Sequence, residues 1–389
     1  MKKIEYKPML ISIILVLIIY YFYTPALNIH AIEFWIFIIV ALCIYGATSS
    51  YNSLVDREFN PKKVGSLGVI VAVIMGGIFL SDLFTSKIFH ASRYASRIEV
   101  ENVKFNNNTL KEVDFSKTPI IDRKSTVKLG DKVMGEIPEY VSQFEVSDDY
   151  TQISYKNSVY RVTPLEYASF FKYLTNSKNG IPAYITVNST NGKADIVKLK
   201  DLGLDGMKYV PSAILNHNLN RKLQLSYPTC IFGSPSFEVD EKGHPWYVCT
   251  TYTYFGVGNK KKVTGAVLFD PITGKSKKYD KDKVPKWVDR VYPENLIMTE
   301  IDENGSLQDG FFNSVLGQKN VTVTSEGYNY LEKDGDIWIY SGITSANKDS
   351  SNLGFVLSNL RTHQTLRFSC SGANEKAAMK SAEGEVKNY

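Results

Sequence analysis

The 389-residue chain is 44 % hydrophobic and 22 % charged, with 45 Lys and Arg against 40 Asp and Glu, a net charge of +5. Charge this evenly spread, with no basic stripe, argues against nucleic acid as a partner. Only Cys230, Cys249 and Cys370 lie beyond the first 88 residues, too few for a disulfide framework.

Three apolar segments open the chain, over residues 9–26, 31–47 and 67–84. Each is near the ~20 residues that cross a ~30 Å hydrocarbon layer. The first exceeds the ~7–15-residue core of a signal peptide and runs into Tyr20, Tyr21, Phe22 and Tyr23 rather than small residues, so it reads as a span with an interfacial aromatic belt. Glu33 stands at the mouth of the second, and the Gly76-Gly77 pair in the third suits close helix approach. Lys2, Lys3 and Lys7 precede the first span, no Lys or Arg lies in 27–30, and Arg57, Lys62 and Lys63 lie between the second and third. Positive charge marks the cytoplasmic side. The N-terminus is therefore expected inside, everything after Phe84 outside, with the lipid bilayer as a partner. Lys87, Arg93 and Arg97 oppose that bias.

The remainder is expected to be α+β, with antiparallel sheets and a few packed helices. Residues 1–92 form the membrane anchor, 93–226 a first α+β domain and 227–389 a second, β-rich one. In chain order, a strand is expected at 98–105 and a short helix at 122–134. Paired strands follow over 144–162, and Thr163-Pro164 opens a helix with Leu165, Ala168, Phe171 and Leu174 on one face. Strands 183–188 and 194–199 flank the Asn191-Gly192 turn, and Pro211 starts a helix over 211–224. Strands 236–239 and 245–254 bracket a turn ending in Gly243, and 265–270 and 275–279 bracket Pro271 to Gly274. A helix is expected over 283–291, strands near 321–325, 336–343, 354–359 and 364–370, and an Ala-rich helix over 373–384. That last face suits the start of a module, so either the chain is a truncated form of a longer one or the helix caps the second domain.

A resemblance is carried by GIPAYITVN (180–188), MKYVPS (207–212), SYPTCIF (226–232), VPKWVDRVYP (284–293), GYNY (327–330), YSGITS (340–345) and ANEKAAMKSAEGEV (373–386). From about Phe144 onward the chain resembles a functionally uncharacterised family of membrane-anchored proteins from low-GC Gram-positive bacteria. The resemblance implies membrane anchoring and an exported body, and supplies no catalytic residues. The FDPITGKSKKY hairpin and the closing helix also look like pieces of PepSY-type modules.

Motifs with chemical meaning are fragmentary. Ser125 and Lys128 fit S-x-x-K, but the S-x-N at Ser350 to Asn352 is late and Lys262 to Gly265 is wrong and early for the third element. The histidines His30, His90, His217, His244 and His363 have no metal-ligand spacing. Asp302 to Gly305 and Asp334 to Asp336 resemble calcium-loop fragments without the closing Glu, and read as turns. Gly256-Val257-Gly258 before Lys260, Lys261 and Lys262 has the form of an anion nest. Tyr150, Tyr155, Tyr160, Trp246, Tyr247, Tyr252, Tyr254, Trp338 and Tyr340 fit either strand packing or a glycan or peptide groove. No catalytic, cofactor-binding or metal residue is assigned and no cofactor is expected. The reading is a membrane-anchored binding, scaffold or regulatory protein of the bacterial cell envelope with an envelope protein or glycan as partner. Its rivals are an envelope hydrolase or transferase, and an accessory subunit of a transporter or sensor.

Overall fold

The computed structural model describes residues 6–55, 61–106, 109–110, 118–325, 327–346 and 351–373. Helices α1 (Tyr6–Tyr23), α2 (Ile32–Val55) and α3 (Pro61–Phe84) are long and apolar enough to cross a membrane. Thr24, with φ +41, and Pro25 end α1 earlier than its hydropathy does, because proline gives the helix no N–H. Helix α4 (Lys87–Ala95) follows, then β1 (Val100–Val103), α5 (Arg123–Gly135) and α6 (Pro138–Val141). Next come β2 (Phe144–Val146), β3 (Thr151–Tyr155), β4 (Ser158–Tyr167), α7 (Phe170–Asn176), β5 (Ala183–Asn188), β6 (Ala194–Lys198) and α8 (Leu219–Ser226). The chain continues through β7 (Ile231–Phe232), β8 (Ser236–Val239), β9 (Pro245–Phe255), β10 (Asn259–Phe269) and β11 (Ser276–Asp280). It closes with α9 (Glu294–Leu307), β12 (Thr322–Thr324), β13 (Asn329–Lys333), β14 (Asp336–Ser345), β15 (Ser351–Asn359) and β16 (Thr365–Ala373). The fold is α+β, as expected.

Three sheets organise the strands, in the orders β2-β4-β5-β6, β11-β10-β9-β7 and β1-β16-β15-β14-β12, with β3 on β4, β8 on β9 and β13 on β14. Apart from the parallel β1–β16 pair, the registers of these pairs are antiparallel, from Val100↔Thr365 at that pair to Ala183↔Lys198 in the first sheet. The chain separates into two compact units. One contains residues 1–86, 215–232 and 251–262; the other contains 87–214, 233–250 and 263–389.

Within the first unit, non-membrane segments grip one end of the helices. Leu27 N–H donates to Pro228 O at 2.7 Å, and His30 Nδ1 pairs with Gly256 O at 2.7 Å. Asn259 Nδ2 donates to Asp82 O at 2.8 Å and to Thr85 Oγ1 at 2.9 Å. Arg221 donates from Nε to Tyr21 O at 2.7 Å while its guanidinium lies 4.6 Å over the Tyr21 ring. The end of α1, the 24–31 connector and the end of α3 thus share one side, as three consecutive crossings require. Between α1 and α2, the Ser12 and Thr48 hydroxyls pair at 2.6 Å. A Cβ on Gly76 or Gly77 would meet nothing within 4 Å, so the close approach expected there is not made within the chain.

Three expected helices need correction. The residues after Pro164 continue β4, and the helix starts only at Phe170, capped by the Ser169 hydroxyl bonded to Lys172 N–H. Pro164 is tolerated because β3 ends its pairing at Val162 and β2 begins at Leu165, so its missing N–H falls between the two partners. Leu165 is buried, whereas Phe171 and Leu174, expected on the same inward face, are exposed. The helix expected from Pro211 starts at Leu219, because Leu215 adopts φ +50 and Asn218 provides the cap to Arg221 N–H at 3.0 Å. Residues 284–291 form turns, and the helix is α9, opened by Pro293. The expected closing helix starts on Ala373, which ends β16; its remaining residues lie outside those described.

Candidate functional site

Within the second unit, strands β3, β4, β8 and β9 and the 147–150, 290–295 and 328–330 segments surround a polar cavity of about 330 Å³. Tyr247 sits opposite Phe237 in the β8–β9 register, their rings edge to face at 5.5 Å. Its side chain is 3 % exposed and its hydroxyl has no hydrogen-bond partner among the described residues. Burial first, then the nearby Glu166, holds that phenol well above the usual tyrosine range.

Glu166 sits on β4, directly across from Glu145 of β2. Its carboxyl is pushed up by burial, opposed by a hydrogen bond from Ser147, and pushed further by Asp149, Glu145 and Asp148. On the other wall, Arg290 is bidentate on Glu294, with Nε 3.1 and 2.9 Å from the two oxygens, and Tyr330 donates its hydroxyl to Glu294 at 3.2 Å. Arg123 and Asp149 are 4.0 Å apart at the rim, both largely in water. The cavity therefore holds one satisfied ion pair, one exposed pair and one acid, Glu166, whose carboxyl is raised.

Beneath this wall lies a second acidic pair. Glu238, fully buried in β8, accepts the N–H groups of Asp289 at 2.8 Å and Arg290 at 3.0 Å. Asp289, also buried, accepts Ser154 N–H at 2.9 Å. Burial is the leading cause raising both carboxyls, and their mutual repulsion adds to it at Asp289. Glu238 thereby fixes the backbone that aims Arg290 at Glu294.

No family model, curated protein or solved structure matches this chain. The functional reading rests on its own residues.

The motifs singled out in sequence are mostly consumed by structure. Ser125 donates to Asp122 Oδ2 at 3.1 Å in the α5 cap, and Lys128 is exposed on that helix. Ser350, the start of the S-x-N motif, lies outside the described residues. Asp302 to Gly305 form part of α9 rather than a turn: Asp302 accepts Thr324 N–H at 2.7 Å, and Glu303 is ion-paired to Arg97. Asp334 and Gly335, with φ +56 and +83, are the two-residue hairpin turn expected there, and Asp336 is bidentate with Arg361. The Gly256–Gly258 nest is occupied, since Gly258 N–H donates to His30 O at 3.0 Å. His244 meets Asp270 at 3.4 Å and His363 meets Glu300 at 2.6 Å, both histidines sitting in turns. No disulfide joins Cys230 and Cys249. Among the described residues no group of three His, Cys, Asp or Glu is placed to hold a metal ion.

Of the aromatic set, Tyr150 and Tyr247 line the cavity, joined by Tyr328 and Tyr330. Trp338 is core, and Tyr155 and Tyr160 pair with each other at 5.8 Å. Glu166, Arg290 and Glu294 were not singled out by sequence. Reading 163–174 as a helix hid Glu166, while Arg290 and Glu294 carried the four-residue spacing of a helical ion pair.

Proposed function

We propose that this chain is a membrane-anchored binding or regulatory protein of the cell envelope, with its N-terminus in the cytoplasm and its body outside. The cavity around Glu166 and Tyr247 takes the ligand. The observation that carries the reading is the polar cavity of about 330 Å³ lined by Glu166, Arg290, Glu294 and four tyrosines, Tyr150, Tyr247, Tyr328 and Tyr330. The bias of Lys and Arg toward the N-terminus and the second connector supports the orientation. The rival hydrolase or transferase, whose site would assemble only in three dimensions, draws no support from the S-x-x-K motif, where the Ser125 hydroxyl donates to Asp122 in the α5 cap.

The test is photo-crosslinking in intact membranes from a reactive residue at Asn295, on the cavity wall, with Asn191 in the β5–β6 turn as the control. An envelope glycan or protein captured from Asn295 and not from Asn191 is the expected result. Equal yields from both sites would remove the cavity from the function.

A further inference from the structure

Helix α4 begins at Lys87, close in sequence to the end of α3 at Phe84. At ~3.6 Å per extended residue, Phe89 lies at most about 18 Å from the last residue of that candidate span. Ile88 and Phe89 are 41 % and 57 % exposed. The far end of α4 turns inward: Tyr94 and Ala95 are buried with Leu307, and Phe311 packs against them. Since α4 is only ~12 Å long at 1.5 Å per residue, whatever packs at its far end is held by the same short tether. The chain after Phe311 presents Phe312, Val315 and Leu316, 66 %, 55 % and 78 % exposed. Residues 310–318 contain no charged side chain. Single exposed apolar residues are ordinary, but several in one uncharged segment mark an interaction surface.

The polar groups of this segment are largely spent within it. Asn313–Gly317 is a single π-helical turn, closed by Gln318 N–H donating to Asn313 O at 2.6 Å. Asn313 Nδ2 donates to Lys319 O at 2.9 Å, its Oδ1 accepts Lys319 N–H at 3.2 Å, and Ser314 Oγ donates to Phe311 O at 2.6 Å. A turn that pairs these donors internally loses less on leaving water. Lys87 and Lys319 are exposed and flank the two apolar stretches in sequence, where ammonium groups can reach headgroup phosphates.

We propose that the 310–318 turn, with Ile88 and Phe89, docks on the lipid bilayer that holds the spans, seating Phe312, Val315 and Leu316 among the headgroups and upper acyl chains. The occupant is lipid because the tether keeps α4 near the bilayer surface, and an uncharged aromatic and aliphatic turn flanked by lysines suits that interface. The surface holds the body against the membrane whatever the cavity binds.

The test places an environment-sensitive fluorescent amino acid at Leu316 in the full chain, reconstituted in nanodiscs with and without phospholipid carrying a shallow nitroxide. Asn191, in the β5–β6 turn, is the control position. Blue-shifted emission at Leu316, quenched at least twofold by the nitroxide lipid, is expected, with emission at Asn191 unaffected. Phe312→Ser combined with Val315→Ser should at least halve the quenching at Leu316 and leave the thermal unfolding midpoint unchanged. If that double variant lowers the midpoint, the labelled parent chain alone decides. Water-like emission at Leu316, or quenching no greater than at Asn191, overturns the docking. Blue-shifted emission that the nitroxide lipid does not quench means that protein covers the turn, and overturns the lipid assignment.

Discussion

Asp289 and Glu238 place two carboxyls in the interior of the second unit, held by the N–H groups of Ser154, Asp289 and Arg290. Both are raised, so the folded chain holds protons there more tightly than the unfolded chain does. Their contribution to stability is largest at or below the ordinary carboxylate range and is lost as pH rises through the raised folded values. Asp289→Asn keeps an acceptor for Ser154 and removes one charge. It should flatten the fall of the unfolding midpoint between pH 5 and 8. Asp289→Ala leaves Ser154 N–H unpaired in the interior and should cost about 1–3 kcal/mol at any pH. Identical pH slopes for the parent chain and Asp289→Asn would show that the raised Asp289 carboxyl does not set the pH dependence.

The β9–β10 hairpin shows how a single backbone position fixes an element. Gly256 has φ +73, and a Cβ there would stand 2.5 Å from Thr85 Oγ1 and 2.9 Å from Ser81 Oγ, at the end of α3. Gly258 has φ +80 and open space around it. Either Gly→Ala change forces a left-handed residue, costing about 1–3 kcal/mol. Only Gly256→Ala also pushes the hairpin off the helix and weakens the bonds from Asn259 to Asp82 and Thr85. Limited proteolysis across residues 255–259 should therefore accelerate far more in Gly256→Ala than in Gly258→Ala. Equal rates would mean that the close approach to Thr85 does not hold the hairpin.

At the scale of the whole molecule, three helices long and apolar enough to cross would, if each crosses, bring the 24–31 connector and the end of α3 to one side of the bilayer, and the hydrogen bonds at the ends of α1 and α3 agree with that parity. Which side is a matter of charge bias. In a chain otherwise free of cysteine, Asn191→Cys should react with an impermeant maleimide on whole cells, and Asn60→Cys only after lysis. The reverse order would invert the orientation and remove the envelope reading.

The sequence by itself determined the three spans and the hairpins. Hydropathy is a local property, and so is a positive φ, which is why Asn191-Gly192, Gly243, Gly274 and Asp334-Gly335 were legible as turns. It did not determine the secondary structure of 163–174 and 284–291, where proline reads equally as a helix opener, a strand gap or a turn residue. Only pairing with β2, β3 and β5 made Pro164 part of a strand. Nor was the cavity legible: Glu166 stands across from Glu145 only by strand register, and Tyr247 looks like any strand tyrosine until its hydroxyl is found without a partner. Glu238 lies between Phe237 and Val239 in a strand buried on both faces, so no alternation distinguishes it from a surface glutamate. Burial and charge environment arise from residues distant in sequence, and these decide which carboxyls are held above their ordinary range.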